Sequence, residues 1–328
     1  MTRNADRYIA ENRSDIRSTQ ANFIEVTDRG ASRDLSFPRN AIEVTVEVEI
    51  YTRPLNSSLI SGHPNGSVHG SGHGESGDLR GGWTLVEEVE NSTVWTKDGR
   101  NAIRDALDGQ AGAIKSAVLG HGTADASSTD ADLRDRQATV FAFGTKDDRN
   151  TTRGHGLFLF HEHNGTATEF GLLDDDGRLL SRTTVDDVGP TAEEEVRAEI
   201  LLTFNGSGTG DSVITDEGER TAADSVRLDS VTVGLLEMAW GTGTTAFTKS
   251  DTALTSEVVR KNVLRELELE SIRTRAKLYK SEPASQPVDL SEVAVFDNNG
   301  NMFWATTFDS EEKDDSAPLS TTVGFRFR

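Results

Sequence analysis

Apolar and polar residues alternate with a period of two along much of this chain, a pattern typical of β-strands that bury one face. The clearest example is the segment 41–52, AIEVTVEVEIYT, whose glutamates fall on the face opposite its apolar residues. The apolar face consists of Ile42, Val44, Val46, Val48 and Ile50. Weaker patterns predict further strands at 83–96, 114–119, 139–143, 156–162, 196–204, 231–240, 262–279 and 321–328.

Two short segments have helical character instead. In Asp98 to Leu107 the residues Ile103, Ala106 and Leu107 share one face, and Gly109 follows as a stop signal. A second short helix is predicted around Arg220 to Asp229. The chain is therefore predicted to be mainly β.

One stretch of the chain recurs. Trp240 to Leu254, WGTGTTAFTKSDTAL, aligns without a gap with Leu119 to Leu133, LGHGTADASSTDADL. Both windows follow an apolar run and begin with Gly-x-Gly-Thr. Glycine at such positions indicates either a turn with positive φ or the close approach of another segment. The identical pairs are Gly120/Gly241, Gly122/Gly243, Thr123/Thr244, Asp130/Asp251 and Leu133/Leu254.

The similarity extends on both sides of this window, which indicates a tandem duplication. Upstream, Val94 aligns with Val213, and downstream Glu169–Phe204 aligns with Glu292–Phe327 without a gap. The sequence therefore predicts an N-terminal region, residues 1–82, followed by repeat domains at 83–206 and 207–328. Each repeat is expected to be a β-sandwich-like domain with one short helix. Equivalent core positions are expected for Leu202/Phe325 and Phe204/Phe327.

Each repeat also contains a predicted hairpin. Asp176-Gly177 and Asn299-Gly300 lie between two apolar strands, and such pairs favour tight turns with glycine at positive φ. Gly177 and Gly300 are therefore predicted turn residues. The Gly-x-Gly-Thr glycines, Gly120, Gly122, Gly241 and Gly243, are predicted structural turns as well.

Charge narrows the classes of function. The formal net charge is −21, and with eight lysines among 34 basic residues, 26 are arginine. This excludes an ordinary nucleic-acid-binding protein, which needs a basic surface. Carboxylates spread along the whole chain, with few lysines, are typical of a protein that stays soluble in concentrated salt. An ordinary acidic protein is the alternative.

The N-terminal region is polar apart from its strand. Residues 1–30 predict either a short helix around 5–18 or an arm that becomes ordered on a partner. They have no apolar core of the kind found in a secretory signal. No apolar run reaches the length of a membrane span, so no membrane insertion is expected.

Candidate chemistry is sparse. There is no cysteine, and His63, His69 and His73 lie in a Gly/Ser/His-rich segment, 56–82, that predicts an exposed loop. These three histidines could bind a metal, but free histidines in loops are much more common. The pair His161 and His163 has no third ligand at a recognisable spacing, so no metal is expected. The acidic turns at 174–176 and at Asp297 lack the ligand pattern of an EF-hand. No nucleophile, phosphate-binding or zinc-protease motif is present, so neither catalytic residues nor a cofactor are predicted.

Several of these segments resemble structural proteins of tailed viruses. Tail-fibre and baseplate-associated chains are similar to WGTGTTAFTKSDTALTSEVVRK, followed by SEVAVFDNNGNMFWATTFD. The second repeat carries the resemblance well, whereas the first departs from it, with Ala124 in place of Thr245 and without the Glu-Val-x-Arg continuation. The resemblance does not cover residues 1–82. With the acidic composition, it implies a virus of an extreme halophile, and the family has no catalytic residues to transfer.

The resemblance implies a non-enzymatic virion structural protein of the tail tip, a baseplate or tail-fibre component located in the viral tail. Other virion proteins would be its partners, and its subunits would form a trimer or a hexameric ring. A host surface glycan or glycoprotein is a further expected partner if the loops face the host. The alternatives are a capsid turret or decoration protein, a surface-glycan-binding adhesin and, last, a glycan depolymerase.

Overall fold

The structure is a computed structural model. It describes residues 33–37, 40–54, 83–89, 93–110, 113–148, 150–158, 165–189, 194–208, 211–227 and 233–328. The predictions for the N-terminal arm, for the loop with His63, His69 and His73, and for the pair His161 and His163 lie outside these residues.

Strands make up most of the described chain, which confirms the predicted mainly-β fold. They are β1 (Arg33–Ser36), β2 (Asn40–Pro54), β3 (Thr84–Val89), β4 (Thr93–Trp95), β5 (Ile114–Gly120), β6 (Arg136–Phe141), β7 (Phe143–Asp148), β8 (Thr151–Phe158), β9 (Ala167–Asp174), β10 (Leu179–Val188), β11 (Glu194–Ser207), β12 (Ser212–Ile214), β13 (Leu235–Gly241), β14 (Glu257–Asn262), β15 (Leu264–Glu268), β16 (Ser271–Leu278), β17 (Val288–Asp297), β18 (Met302–Lys313) and β19 (Leu319–Phe327). Two helices are described, α1 (Lys97–Leu107) and α2 (Asp216–Ser225).

The two repeats have the same strand order. One five-stranded sheet runs β4-β10-β9-β5-β6, and the other runs β12-β18-β17-β13-β14. Four strands of the first sheet, β4, β5, β9 and β10, are replaced in the second by the strands that the sequence alignment makes their equivalents, and β6 and β14 take the same place at the end of each sheet. Agreement in order across five strands is what a duplicated domain requires, because unrelated segments have many other ways to pair.

The two helices begin in the same way. The hydroxyl groups of Thr96 and Thr215 accept the N–H groups of Gly99 and Gly218, each at 3.0 Å, and so cap the first turn. A Cβ on either glycine would collide with a carbonyl oxygen of the neighbouring hairpin strand, at Leu180 or Phe303, so glycine is needed there.

The predicted position of the second helix was wrong by four residues. Helix α2 spans 216–225, not 220–229. Apart from Glu219 its buried residues are small, and Ala222 and Ala223 are the apolar ones, so its apolar periodicity is too weak to locate the helix. For the first helix the expected face is confirmed, because Ile103, Ala106 and Leu107 are buried.

The remaining strands form one nine-stranded sheet that both repeats share. Its path is β15-β16-β19-β2-β11-β8-β7, with β1 beside β19 and β3 beside β2. Strand β2 is parallel to β19 and antiparallel to β11. The equivalent strands β11 and β19 therefore run in opposite directions, as a local two-fold axis between the repeats would place them.

Each five-stranded sheet packs on its own half of the shared sheet, which gives the expected sandwich-like layers. Phe158 packs on Phe170 in the first repeat at 5.7 Å between ring centroids, and Phe303 packs on Phe325 in the second at 5.0 Å. The residues predicted to be equivalent, Leu202, Phe204, Phe325 and Phe327, are all fully buried. On β2 the predicted apolar face is buried except for Val44, which is half-buried.

The helices join the repeats more closely than the sequence predicts. Helix α1 contacts β16 and β19 of the second repeat, and α2 contacts β8 and β11 of the first. Buried hydrogen bonds also connect the two repeats. The Thr152 hydroxyl donates to the carbonyl of Ala223 at 2.8 Å. The backbone N–H of Ile114 donates to the carbonyl of Val226, also at 2.8 Å. The repeats are thus interlocked rather than placed end to end.

Candidate functional site

The recurring Gly-x-Gly-Thr loops each enclose a buried glutamate. Gly120 and Gly122 in the first repeat are not at positive φ. They are glycine because a Cβ would lie 2.5–2.6 Å from Oε1 of Glu169. The sequence allowed either a turn or the close approach of another segment at these glycines. Close approach is correct, and the predicted turn is wrong.

Glu169 holds the first loop by its backbone. Its Oε1 accepts the N–H groups of Gly122 at 3.0 Å and Asp135 at 2.8 Å, and its Oε2 accepts that of Arg134 at 3.1 Å. The carboxylate therefore connects the start of the loop to its end. The charge of a fully buried carboxylate makes these hydrogen bonds stronger than neutral ones.

The second repeat repeats this arrangement with Glu292. Its carboxylate accepts the N–H groups of Thr255 at 3.0 Å and Ser256 at 2.7 Å. Gly241 and Gly243 are again not at positive φ, and a Cβ on Gly243 would lie 2.5 Å from Oε2 of Glu292. A Cβ on Gly241 would collide with the same carboxylate. Glu169 and Glu292 are identical in the aligned repeats, so the alignment could have identified them, although nothing in the sequence says what they bind.

Among the described residues, only the first loop is contacted by a fully buried arginine, Arg182 of β10. The guanidinium of Arg182 is fully buried, 2.8 Å from Glu169 and 2.8 Å from Asp130. It also donates to the loop carbonyls of Asp125 at 3.1 Å and Ala124 at 2.8 Å. This one side chain therefore links β10 to the loop through two carboxylates and two carbonyl groups.

Both carboxylates have lowered pKa values. Burial alone would raise the pKa of Glu169, but hydrogen bonds from the N–H groups of Asp135 and Arg134 and from Arg182 outweigh burial and lower it. Burial opposes the shift at Asp130 too, where the Ser127 N–H and Arg182 lower the pKa. Both groups are therefore ionised at neutral pH.

The second repeat replaces this ion network with apolar packing. Ala305 stands at the position of Arg182, and Phe247 stands at that of Ala126. Phe247 and Ala305 lie in one apolar cluster with Leu254, Phe296 and other buried residues. In the first repeat the large residue is on the strand and the small one is in the loop, whereas in the second repeat the small residue is on the strand and the large one is in the loop.

The two hairpin turns have the conformation predicted from the sequence. Gly177 has φ of 79° and Gly300 has φ of 81°. In each turn the glycine N–H donates to the carbonyl of the aspartate three residues before it, Asp174 or Asp297, at 3.1 Å.

In the first of these turns Asp174, Asp175 and Asp176 bring three carboxylate oxygens within 4.8 Å of one another. Oδ2 of Asp174 is engaged by Nε of Arg178 at 2.7 Å.

A cleft of about 730 Å³ opens beside the first loop. It lies where β3, the end of β10 and the Gly-x-Gly-Thr segment meet. Burial raises the pKa of Glu87 in its wall, although a hydrogen bond from the backbone N–H of Asp186 to the Glu87 carboxylate opposes the shift. No sequence pattern predicted this site, because its residues come from distant segments. The lining residues are Glu87, Thr123, Thr168, Thr184, Val185, Asp186 and Asp187.

Comparison with protein-family models, curated proteins and solved structures finds no match for this chain. The resemblance to viral tail proteins therefore rests on the motifs of the sequence. Within the described ranges, neither helix is long and apolar enough to cross a membrane.

Proposed function

We propose that this chain is a structural protein of a tailed virus of an extreme halophile, located in the tail tip as a baseplate or tail-fibre component. It acts by assembling with other virion proteins and with further copies of itself. Its activity is mechanical and adhesive, not enzymatic.

The observation that carries the proposal is where the resembling segments lie in the fold. The segment that begins at Gly241 is the loop held by Glu292, and the segment 292–308 forms the hairpin of β17 and β18. The motif therefore corresponds to one packed unit, a loop fixed to a hairpin by a buried carboxylate. A family motif that coincides with a structural unit supports common ancestry better than scattered matches do.

The interlocked repeats suit a load-bearing part. Forces on one repeat pass to the other through the shared sheet and the exchanged helices, so neither can be displaced without breaking buried contacts. The first and second loops lie at the ends of two different five-stranded sheets, which provides two separate surfaces for partners.

The test is to locate the protein in purified virus particles. Antibodies against the full chain, applied as gold conjugates to particles in concentrated salt, should label the tail end, and mass spectrometry should find the chain in the particle fraction. Label on the head would support the turret or decoration alternative instead. Absence from purified particles, with the protein present in the lysate, would refute a virion role.

The predicted docking arm has a separate test. Deleting residues 1–30, which leaves β1 and β2 intact, should abolish incorporation, whereas a control deletion within the segment 56–82 should leave incorporation intact. Normal incorporation of the truncated chain would exclude the arm as the attachment element.

A further inference from the structure

Strand β2 fills a gap between the two repeats. It belongs to the N-terminal region, yet it lies inside the shared sheet, between the equivalent strands β11 and β19. It pairs with β11 from Ala41 to Pro54, and with β19 from Asn40 to Ile42. The repeats therefore form a groove, here called the β2 groove, and a segment outside the repeats occupies it.

The segment 33–54 completes the apolar cores on both sides of this groove. The inward-facing residues of β2, from Ile42 to Ile50, pack in one cluster with Leu202 of the first repeat and Phe325 of the second. Just before β2, the ring of Phe37 packs on Trp304 with 5.6 Å between centroids. An empty groove would expose this apolar surface to water, so a folded copy needs a segment of this sequence in it.

The connection between β2 and β3 is much longer than their pairing requires. The two strands are antiparallel neighbours, and Thr52 lies opposite Thr84. Neighbours of this kind are usually joined by about two to five residues, but here the segment 55–82 lies between Pro54 and Trp83. A long tether lowers the local concentration of β2 at its own groove, because that concentration falls with roughly the 3/2 power of the tether length.

The tether is long enough to carry β2 to another copy. A fully extended chain covers about 3.3 Å per residue, so the segment 55–82 spans up to about 90 Å. A globular chain of this length is about 50 Å across. The groove of a neighbouring copy therefore lies within reach while the remainder of each chain stays folded.

We propose that copies of this chain join by exchanging the segment 33–54, so that β1 and β2 of one copy lie in the β2 groove of another. Exchange preserves every strand pairing and buried contact of this segment, because the incoming strand has the same sequence as the one it replaces. Concentration therefore sets the balance between the closed and the exchanged form. Exchange is favoured where copies are crowded together, as in an assembling particle.

The inference deepens the proposed function and rests on its claim that copies of the chain assemble with one another. It identifies the joining element as a strand inside the fold, not as a contact between two finished surfaces. Each copy gives one segment and receives one, so exchange closes into a pair or a ring.

The test uses two full-length variants with one cysteine each, Thr45→Cys and Thr203→Cys, since the chain has no cysteine of its own. The two positions lie opposite each other on β2 and β11. Neither variant can form this cross-strand disulfide within one chain, so exchange is what places position 45 of one copy beside position 203 of another. The variants are mixed in denaturant, refolded together at high protein concentration in concentrated KCl, and oxidised mildly.

Random collisions produce symmetric and mixed dimers alike, whereas exchange produces the mixed dimer alone. We expect the dimer linked between positions 45 and 203 to exceed either symmetric dimer by about tenfold or more. Mass spectrometry of the cross-linked peptides measures this ratio. The yield of the mixed dimer should fall when the same mixture is refolded at low protein concentration.

A matched control pair, Arg275→Cys and Thr322→Cys, places the two cysteines opposite each other on β16 and β19, which are not exchanged. It should give no excess of the mixed dimer. In a second control, four residues replace the tether 55–82 in the Thr45→Cys and Thr203→Cys chains. The excess should then disappear, because β2 can no longer reach another copy.

Two results would overturn the proposal. One is a mixed dimer no more abundant than the symmetric dimers. The other is an excess that persists with the four-residue connection or appears equally in the control pair. The measurement uses purified protein, so its failure would exclude strand exchange without excluding a place in the virus tail, and absence of the chain from virus particles would leave the exchange result unaffected.

Discussion

Trp95 and Ser181 lie opposite each other on β4 and β10, and in the second repeat the large and small residues exchange places, with Ile214 opposite Trp304. One tryptophan is kept at this point of each repeat, but it comes from a different strand. Each repeat thus buries one tryptophan at this pair of positions, although neither position keeps its residue.

This relationship predicts strong coupling between the two positions. Ser181→Trp alone places a second tryptophan beside Trp95 in a buried site, and overpacking should lower the free energy of unfolding by about 1–3 kcal/mol. Adding Trp95→Ile, which copies the second repeat, should recover most of the loss. Denaturant unfolding of both single variants and the double variant measures the coupling.

Additive effects in that cycle would mean that the two side chains do not share one space. Full recovery is not expected, because Trp304 also packs on Phe325 at 6.2 Å, and the equivalent residue in the first repeat is the smaller Leu202.

The buried glutamates should differ in their contribution to stability. Glu169→Gln leaves Arg182 buried with one carboxylate fewer, and breaking a buried ion pair in this way costs about 3–5 kcal/mol. Glu292→Gln removes a carboxylate that is bound by backbone N–H groups and should cost about 1–3 kcal/mol. Chemical denaturation of the two variants under the same salt conditions tests the order, and a larger loss for Glu292→Gln would contradict it.

Acid should weaken the first loop. The pKa values of Glu169 and Asp130 are lower in the folded state than their ordinary values of 4.5 and 3.8. Each ionised group therefore contributes stability that is complete above its ordinary value and is lost as pH falls toward the lowered folded value. The free energy of unfolding should fall as pH drops below about 4.5, and Glu169→Gln should flatten this dependence. An unchanged acid slope in the variant would show that other carboxylates cause it.

The hairpin glycines should be sensitive for a conformational reason. Nothing lies within 4 Å of a Cβ built on Gly177 or Gly300, so a side chain there meets no neighbour. Replacement by valine still forces a β-branched residue to positive φ and should cost about 1–2 kcal/mol. The melting temperatures of Gly177→Val and Gly300→Val should fall together. A loss at one position alone would show that the two turns are not equivalent.

The sequence predicted the local elements better than their arrangement. Alternation in β2 correctly identified a buried face, since Ile42, Val48 and Ile50 are fully buried. Alternation does not say which strands lie beside it, and the insertion of β2 between β11 and β19 follows from contacts between distant segments. The same limit explains why the sequence at Gly120 and Gly241 did not distinguish a turn from a close approach and did not reveal the glutamates that approach them.

The interlocked repeats predict that neither folds alone. Helix α1 packs on β16 and β19, and Arg104 of that helix donates to the carbonyl of Glu268 at 3.0 Å, so a chain ending at residue 208 would expose the part of α1 that contacts the second repeat. A chain beginning at residue 209 would lack β2 and the two first-repeat strands that α2 contacts, β8 and β11. Each fragment expressed separately should lack cooperative unfolding and native circular dichroism, whereas the two expressed together should form a one-to-one complex.

As a control, a protease site inserted at 209–210 and cut after folding should leave the halves associated, because the shared sheet and the exchanged helices remain in place. Two fragments that each unfold cooperatively, and do not associate, would show that the shared sheet and exchanged helices add little to the stability of either repeat.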